Sequence, residues 1–406
     1  MKSSLSCISA LLSVLPQVLA GPSVRLESPT KREPCTVFSA GFETVDDAPA
    51  INDAITKCGN GGTIVLPSDQ IYTVLSPITF AGCNGCDVQL EGQIWFTTTL
   101  KPFDTAPGYI SMMNIHGAKF RSLTGKGIID GHASQAYQES FKYDWGSAPA
   151  MLFIAGSSDI EISGIHAKEI IRRFYRVDKG SSNIRLSNLN LTIENQWYDE
   201  RITRNQSIGF HIQESSFVSL TDINVDFRSN NPFVKVGVCA GISWGVSDIT
   251  IRNIYCNAGD GAVIQFGSGG EYPQRLWNVT AQTWDTVHPL PEQQFAHNIL
   301  IQNYTANSSD NSGFQNLLSY DWAKVTNLTY DGVNIVQGTP MLNDLCWVVL
   351  HTVTGACSTP STQSIRANFS EIWFKNYRGK AGKPQLGCFS SNCTCDFHFE
   401  GWQADE

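Results

Sequence analysis

The sequence predicts an all-β fold: a right-handed parallel β-helix with a short capping helix at its N-terminal end. Three observations predict it. Short strands with alternating apolar residues recur in "SDIEISGIHA", "SNIRLSNLNL", "SFVSLTDINV", "SDITIRNIYC", "HNILIQNYTA", "VTNLTYDGVNI" and "RANFSEIWFKNY". Each first strand runs into an Asn, Asp or Gly step and then a second short strand, and the unit returns about every 20–30 residues, as stacked coils do. Beyond the N-terminus only "DDAPAINDAITKCG" carries helical periodicity.

Taken in chain order, residues 1–20 read as a secretory signal. Lys2 supplies the positive charge, Leu5 to Ala20 the apolar run, and Val18-Leu19-Ala20 a small-residue end. The run contains Pro16 and is short for a membrane span. Residues 21–34 form a tail in which Lys31-Arg32 is a possible dibasic processing site. The helix follows, with Asp46 or Asp47 as its cap and Ala50, Ile51, Ala54 and Ile55 as its apolar face. It plugs the first coil, because the end of a solenoid needs a cover with a polar outer side. From residue 35 to 406 the coils form one domain. One coil cannot bury its own apolar side, so stacked Ile, Val, Leu and Phe share a continuous core. A β-sandwich is the rival, and it requires hairpin turns between neighbouring strands.

Composition narrows the partners. Lys and Arg number 28 against 37 Asp and Glu, only 16% of residues are charged, and the net charge is -9. An acidic chain without basic clusters is a poor ligand for nucleic acid or an anionic membrane. No cofactor is expected, since no metal-ligand cluster or nucleotide loop occurs. Removal of the signal takes Cys7 and leaves an odd number of the 12 cysteines, mostly disulfides in a secretory compartment. Cys83-x-x-Cys86 and Cys393-x-Cys395 also admit a metal or redox reading, without a second ligand pair at zinc spacing. Sequons stand at Asn190, Asn205, Asn278, Asn303, Asn307, Asn327, Asn368 and Asn392, as in a secreted glycoprotein.

The segment "CTVFSAGFETVDDAPAINDAITKCGNGGTIVLPSDQIYTV" resembles the opening of fungal glycoside hydrolase family 28, the polygalacturonases and rhamnogalacturonases. "GKGIIDGHASQAY" is similar to that family's G-x-G-x-I-D-G-x-G-x-x-W turn, and "DITIRNIYCNAGDGAVIQFGSGGEY" to the segment carrying its G-H-G motif. The resemblance implies a pectin-lyase-like solenoid with an open groove along one parallel sheet. It also implies disulfides Cys35–Cys58 and Cys239–Cys256.

The family's motifs are N-T-D, D-D followed by Cys, G-H-G and R-I-K. An inverting glycosidase needs one carboxylic acid for the leaving oxygen and carboxylates to activate water. N-T-D falls on "NQSIGFHI", where Asn205 matches and the catalytic Asp position holds Ser207 or Ile208, with His211 near the second acidic position. D-D is placed on Asn230-Asn231, followed by Pro232. G-H-G falls on Gly259-Asp260-Gly261, although "GDGAVIQFGS" also resembles a D-D segment that would keep Asp260 as an acid. R-I-K falls near Phe314, Gln315 and Asn316. Amides neither donate a proton as acids nor act as bases near neutral pH.

On this reading the groove has lost hydrolysis, and a charge-poor groove suits apolar or aromatic small molecules. The leading expectation is a pericyclase performing a hetero-Diels–Alder cycloaddition, a class that the chain resembles among fungal enzymes of tropolone-sesquiterpenoid biosynthesis. Such catalysis needs orientation and hydrogen-bond polarisation. The alternative is a divergent pectin-active glycosidase acting on pectic oligosaccharide, and the third reading a carbohydrate-binding protein without activity. Candidate catalytic residues are Asp178, His211, Asn230, Asn231, Lys235 and Asp260, with Asp178 assisting loss of water alongside Lys235 or His211. Gln265, Phe314, Gln315, Asn316, Tyr320 and Trp322 are candidate substrate-binding residues. Each competes with a plain structural role, Asp178 as a turn carboxylate and Tyr320 and Trp322 as packing. A homodimer is possible through an uncovered solenoid sheet, and the expected location is the secretory pathway or extracellular space.

Overall fold

Alternation sets the wall of the molecule. In the strands Thr63–Leu66, Asp87–Leu90 and Gln93–Phe96 every second side chain is buried and the ones between face outward. The structure, a computed structural model, describes residues 33–97, 103, 105–133, 149–170, 172–196, 207–229, 237–258, 260–266, 274–278, 281, 283–287, 293–307, 315–319, 322–337, 366–380 and 394–403. The unit Pro34–Glu406 is a right-handed parallel β-helix. Among the described residues no helix is long and apolar enough to cross a membrane.

The core consists of columns. Ile160, Ile184, Val218, Ile249, Ile299, Leu328 and Ile372 lie in register on successive coils, each almost wholly buried. A second column runs Leu191, Val225, Cys256, Ala306 and Ile335. β-branched and aliphatic side chains stacked this way fill the interior from both faces, the packing a solenoid requires.

The polar steps form columns too. Asp159, Asn183, Phe217, Asp248, Asn298, Asn327 and Glu371 all adopt φ near +55°, as do Asn188, Asp222, Asn253, Asn303 and Asn376 in a second turn. Asn and Asp tolerate this left-handed conformation best after glycine, which explains the residue choice at the step. Their side chains bond from coil to coil. Asn298 Nδ2 donates to Asp248 at 3.0 Å, and Asn327 Nδ2 donates to Asn298 at 2.8 Å.

Helix α1, Ala48–Cys58, covers the first coil. Its buried face is Ala48, Ile51 and Ile55, whereas Ala50 is exposed, so the apolar stripe begins two residues earlier than the sequence pattern indicates. Asp46 accepts from the Ala48 N–H at 3.0 Å. Asp47 makes no cap bond and instead accepts from the Ala40 and Thr73 N–H groups, pinning the helix entry to the strand Ile71–Val74.

Cysteine pairs fasten the coils: Cys35–Cys58, Cys83–Cys86 and Cys239–Cys256 are disulfides. Cys83-x-x-Cys86 therefore closes on itself and binds no metal. Disulfides of this kind fit an oxidising compartment. Among the described residues one departure from one-way coiling occurs: Gln274–Asn278 pairs antiparallel with Thr283–Val287.

The remaining face is an eight-stranded parallel sheet in strict sequence order. Its strands are β1 (Ile78–Thr79), β2 (Gly108–Met113), β3 (Ala150–Ala155), β4 (Arg173–Asp178), β5 (Ile208–Ile212), β6 (Val238–Ile242), β7 (Asp260–Phe266) and β8 (Gln315–Ser319). This sheet carries the motif segments.

Candidate functional site

Strand register brings the motif positions together. Arg173 on β4 pairs with Ile208 on β5, Ile208 with Val238 on β6, and Val238 with Asp260 on β7. A second column on the same strands runs Phe153, Arg176, His211, Gly241, Val263 and Asn316.

The disulfide corrects the sequence register. The D-D motif directly precedes a cysteine, and the cysteine at the start of β6 is Cys239, bonded to Cys256. Counted back from that cysteine, the motif aligns with Gly237 and Val238, and Asn230-Asn231 stand earlier in the sequence, outside the described residues. The same column resolves the N-T-D alternatives in favour of Ile208. Ser207 is fully buried, with its hydroxyl donating to the Ile170 carbonyl at 3.3 Å. On this register Ile208 stands at the N-T-D carboxylate position, Gly237 and Val238 stand at the D-D positions, and Asp260 lies at the G-H-G position on the next strand.

Asp178 sits away from this column, at the C-terminal end of β4, and is wholly buried. Arg176 donates to it from Nε at 3.1 Å and from Nη2 at 2.9 Å. Gln213 Nε2 and the Lys179 N–H donate to its other oxygen at 2.9 and 2.8 Å. Held by four donors, the carboxylate ties the end of β4 to the segment just past β5.

His211 is buried and faces Ser243, with Nε2 3.1 Å from the hydroxyl. Burial, then the charges of Arg173 and Arg176, push its pKa well below the ordinary histidine value, so the ring is neutral. Among the described residues its Nδ1 has no hydrogen-bond partner. Asn230, Asn231, Lys235, Phe314 and Tyr320 lie outside the described residues. Asp260, Gln265, Gln315, Asn316 and Trp322 are placed by their backbones on strands, their side chains outside the description.

Two features escaped the sequence reading. The first is a guanidinium cluster, Arg172, Arg173 and Arg176, on and just before β4. Burial, then Arg176 and Arg172, push Arg173 well below the usual arginine range, the signature of positive charge crowded into a shielded site. Its signal was the run "RRFYR", conspicuous in a chain with so few charges. The second is Glu214, just past β5. Burial, then the neighbouring Asp178, raise its pKa to about 7 against the opposing pull of Lys179 and Arg176. No spacing rule marks it.

Among the sequons, Asn303, Asn327 and Asn368 are exposed, Asn190, Asn278 and Asn307 are half-buried, and Asn205 and Asn392 lie outside the described residues.

Comparison with known proteins matches this architecture. The model of the family "Glycosyl hydrolases family 28" matches residues 59–288. A protein of Neosartorya fischeri named probable endo-xylogalacturonan hydrolase A is 30% identical over 399 residues, 95% of this chain and 89% of the relative. The endo-xylogalacturonan hydrolase A of Aspergillus tubingensis is 33% identical over 265 residues, 60% of this chain. In that alignment and the one to the Aspergillus flavus relative, the chain spans only 64% and 62% of the relatives' length. The crystal structure of endo-xylogalacturonan hydrolase from A. tubingensis superposes with a TM-score of 0.70 at 24% identity, covering 92% of both chains. That of the polygalacturonase from Erwinia carotovora ssp. carotovora gives 0.52 at 12% identity, covering 95% of this chain and all of the other. The relatives are named endo-xylogalacturonan hydrolases, and this overturns the cycloaddition reading, because reduced charge in the groove does not by itself signal a change of chemistry. The chain belongs to glycosyl hydrolases family 28.

Proposed function

We propose that the protein is a pectin-active glycoside hydrolase that cleaves within a galacturonan-type backbone. The observation that carries this reading is the near full-length similarity to a relative named endo-xylogalacturonan hydrolase. The groove sheet supports it. The half-buried guanidinium of Arg173, at the head of β4, suits the carboxylate of a uronic acid, which accepts paired N–H donors in one plane. The neutral His211 beside Ser243 offers polar contacts without repelling the sugar.

In this reading Asp260 is the carboxyl at the scissile bond. Neither Asp178 nor Glu214 can face it across one bond. Each lies at least five residues along the strand direction from the Asp260 column, roughly 16 Å at the usual rise per residue. An acid–base pair separated by one bond and a water spans about 6.5–9.5 Å. A second reading, recognition of the polymer without cleavage, is favoured by one observation: Ile208 and Val238 stand beside Asp260 where the family carries acids.

The test measures reducing ends released from xylogalacturonan and from polygalacturonate by the full chain, with oligogalacturonide binding followed by calorimetry. Release that disappears in Asp260→Asn supports hydrolysis. Saturable binding without release supports the second reading. Absence of both overturns the assignment to pectic polymers.

A further inference from the structure

Away from the groove, the second turn column opens into a cavity of about 560 Å³. It lies among Asn253, Gln302, Asn303, Asp331, Asn376 and Arg378, with Gln403 at its border. The column explains why it is there. Asn188, Asp222, Asn253 and Asn303 fill the turn on successive coils, and then Gly332 takes the next place at φ +72°. A Cβ built there would sit 3.6 Å from the Asn303 nitrogen, so the missing side chain leaves room directly beside Asn303. The cavity is on the scale of sites that hold small ligands, about 300–1,000 Å³.

Its chemistry is that of a polyhydroxylated ligand: amides, a carboxylate and a guanidinium. Asp331 is already engaged by Gln302 Nε2 at 3.1 Å and Asn376 Nδ2 at 2.7 Å, so it holds those amides in place. Among the described residues that line it there is no aromatic ring. A free sugar therefore lacks the stacking platform that would hold it in an open polar cavity. A covalently tethered sugar does not need one, because tethering raises its effective concentration to the millimolar range, about where weak polar contacts become occupied.

The chain itself supplies the tether. Asn303-Tyr304-Thr305 is a sequon, and the exposed Asn303 side chain lines the cavity. We propose that Asn303 carries an N-linked glycan whose first sugar rests in this cavity. In the transfer, Asn303 Nδ2 bonds to the anomeric carbon of a lipid-diphosphate-linked oligosaccharide. The anomeric C–O bond breaks, the lipid diphosphate leaves with its electron pair, and one amide proton passes to a base. The second amide hydrogen remains, and it is sufficient for the 2.8 Å bond that Asn303 Nδ2 donates to Asn253. Modification and the inter-coil ladder are thus compatible.

The test uses full-length protein secreted from a fungal host. Glycopeptide mass spectrometry gives occupancy at Asn303, and peptide-N-glycosidase release is timed on native and on denatured protein. Occupied Asn303 with native release about ten-fold slower than denatured release, a protection of about 1.4 kcal/mol, is expected. Arg378→Ala and Gly332→Asn should each speed native release while leaving thermal stability of the deglycosylated protein nearly unchanged. An unmodified Asn303, or equal native and denatured rates, overturns the proposal. So does saturable binding of free N-acetylglucosamine or galacturonic acid to the Asn303→Gln protein, which would assign the cavity to a free ligand.

Discussion

The wall of the solenoid and its groove sheet obey different rules. Along the wall the same residue class returns at the same register on every coil, as in the column from Ile160 to Ile372 and the Asn and Asp turn columns. Along the groove sheet neighbouring positions differ from coil to coil: Arg173, Ile208, Val238, Asp260. Repetition stabilises, because stacked coils only need shape and hydrogen bonds to agree with their neighbours. Variation marks the surface on which a ligand is read.

Breaking the groove sheet's buried ion pair should cost most. Arg176→Ala leaves the Asp178 carboxylate buried at 0% exposure without its strongest donor, and a loss of about 3–5 kcal/mol is expected in denaturant unfolding. In the wall, Leu220 is fully buried in register with Leu186 and Ile251, and Leu220→Ala opens a gap there without touching a charge, with an expected loss of about 2–4 kcal/mol by the same measurement. A smaller loss for Arg176→Ala than for Leu220→Ala would contradict the contrast.

Glu214 sharpens the comparison through pH. Its folded pKa of about 7 lies above the unfolded value, so its contribution to stability is present at low pH and is lost as pH rises through about 7. Discounted for its partial exposure, the effect is about 1–2 kcal/mol. Glu214→Gln should therefore flatten the fall in Tm between pH 5 and pH 8 that the unmodified protein shows. His211, held neutral, acts with the opposite sign and favours the fold above its unfolded pKa, so His211→Gln should steepen the fall that Glu214→Gln flattens. The smallest effect belongs to a single turn. Asn298→Ala, at φ +54° and with two ladder bonds lost, should cost about 1–2 kcal/mol, and Asn298→Gly less, because glycine adopts that conformation freely.

These contrasts also explain what could be read from the chain itself. Period-two alternation and recurring Asn, Asp and Gly steps exposed the coils, because each coil repeats the same physical demand. The capping helix was legible, but its buried stripe starts at Ala48, a detail set by packing against the first coil. The site was harder. Motif placement by spacing put the acidic pair at Asn230-Asn231, because loops between coils vary in length and sequence spacing does not carry across them. Only the Cys239–Cys256 bond and the pairing of β5, β6 and β7 locate Gly237 and Val238. The arginine cluster stood in plain sight in "RRFYR", yet its meaning depends on burial, which sequence does not report.

The central claim is that Val238 occupies the place of a lost carboxylate beside Asp260. The most direct test restores it: reducing-end release from polygalacturonate is compared for the unmodified protein, Val238→Asp and Asn231→Asp, each checked for an unchanged melting transition. The account predicts that Val238→Asp raises the rate about ten-fold or more, within the range of a gained general acid or base, and that Asn231→Asp leaves it unchanged. A gain from Asn231→Asp with none from Val238→Asp would contradict it.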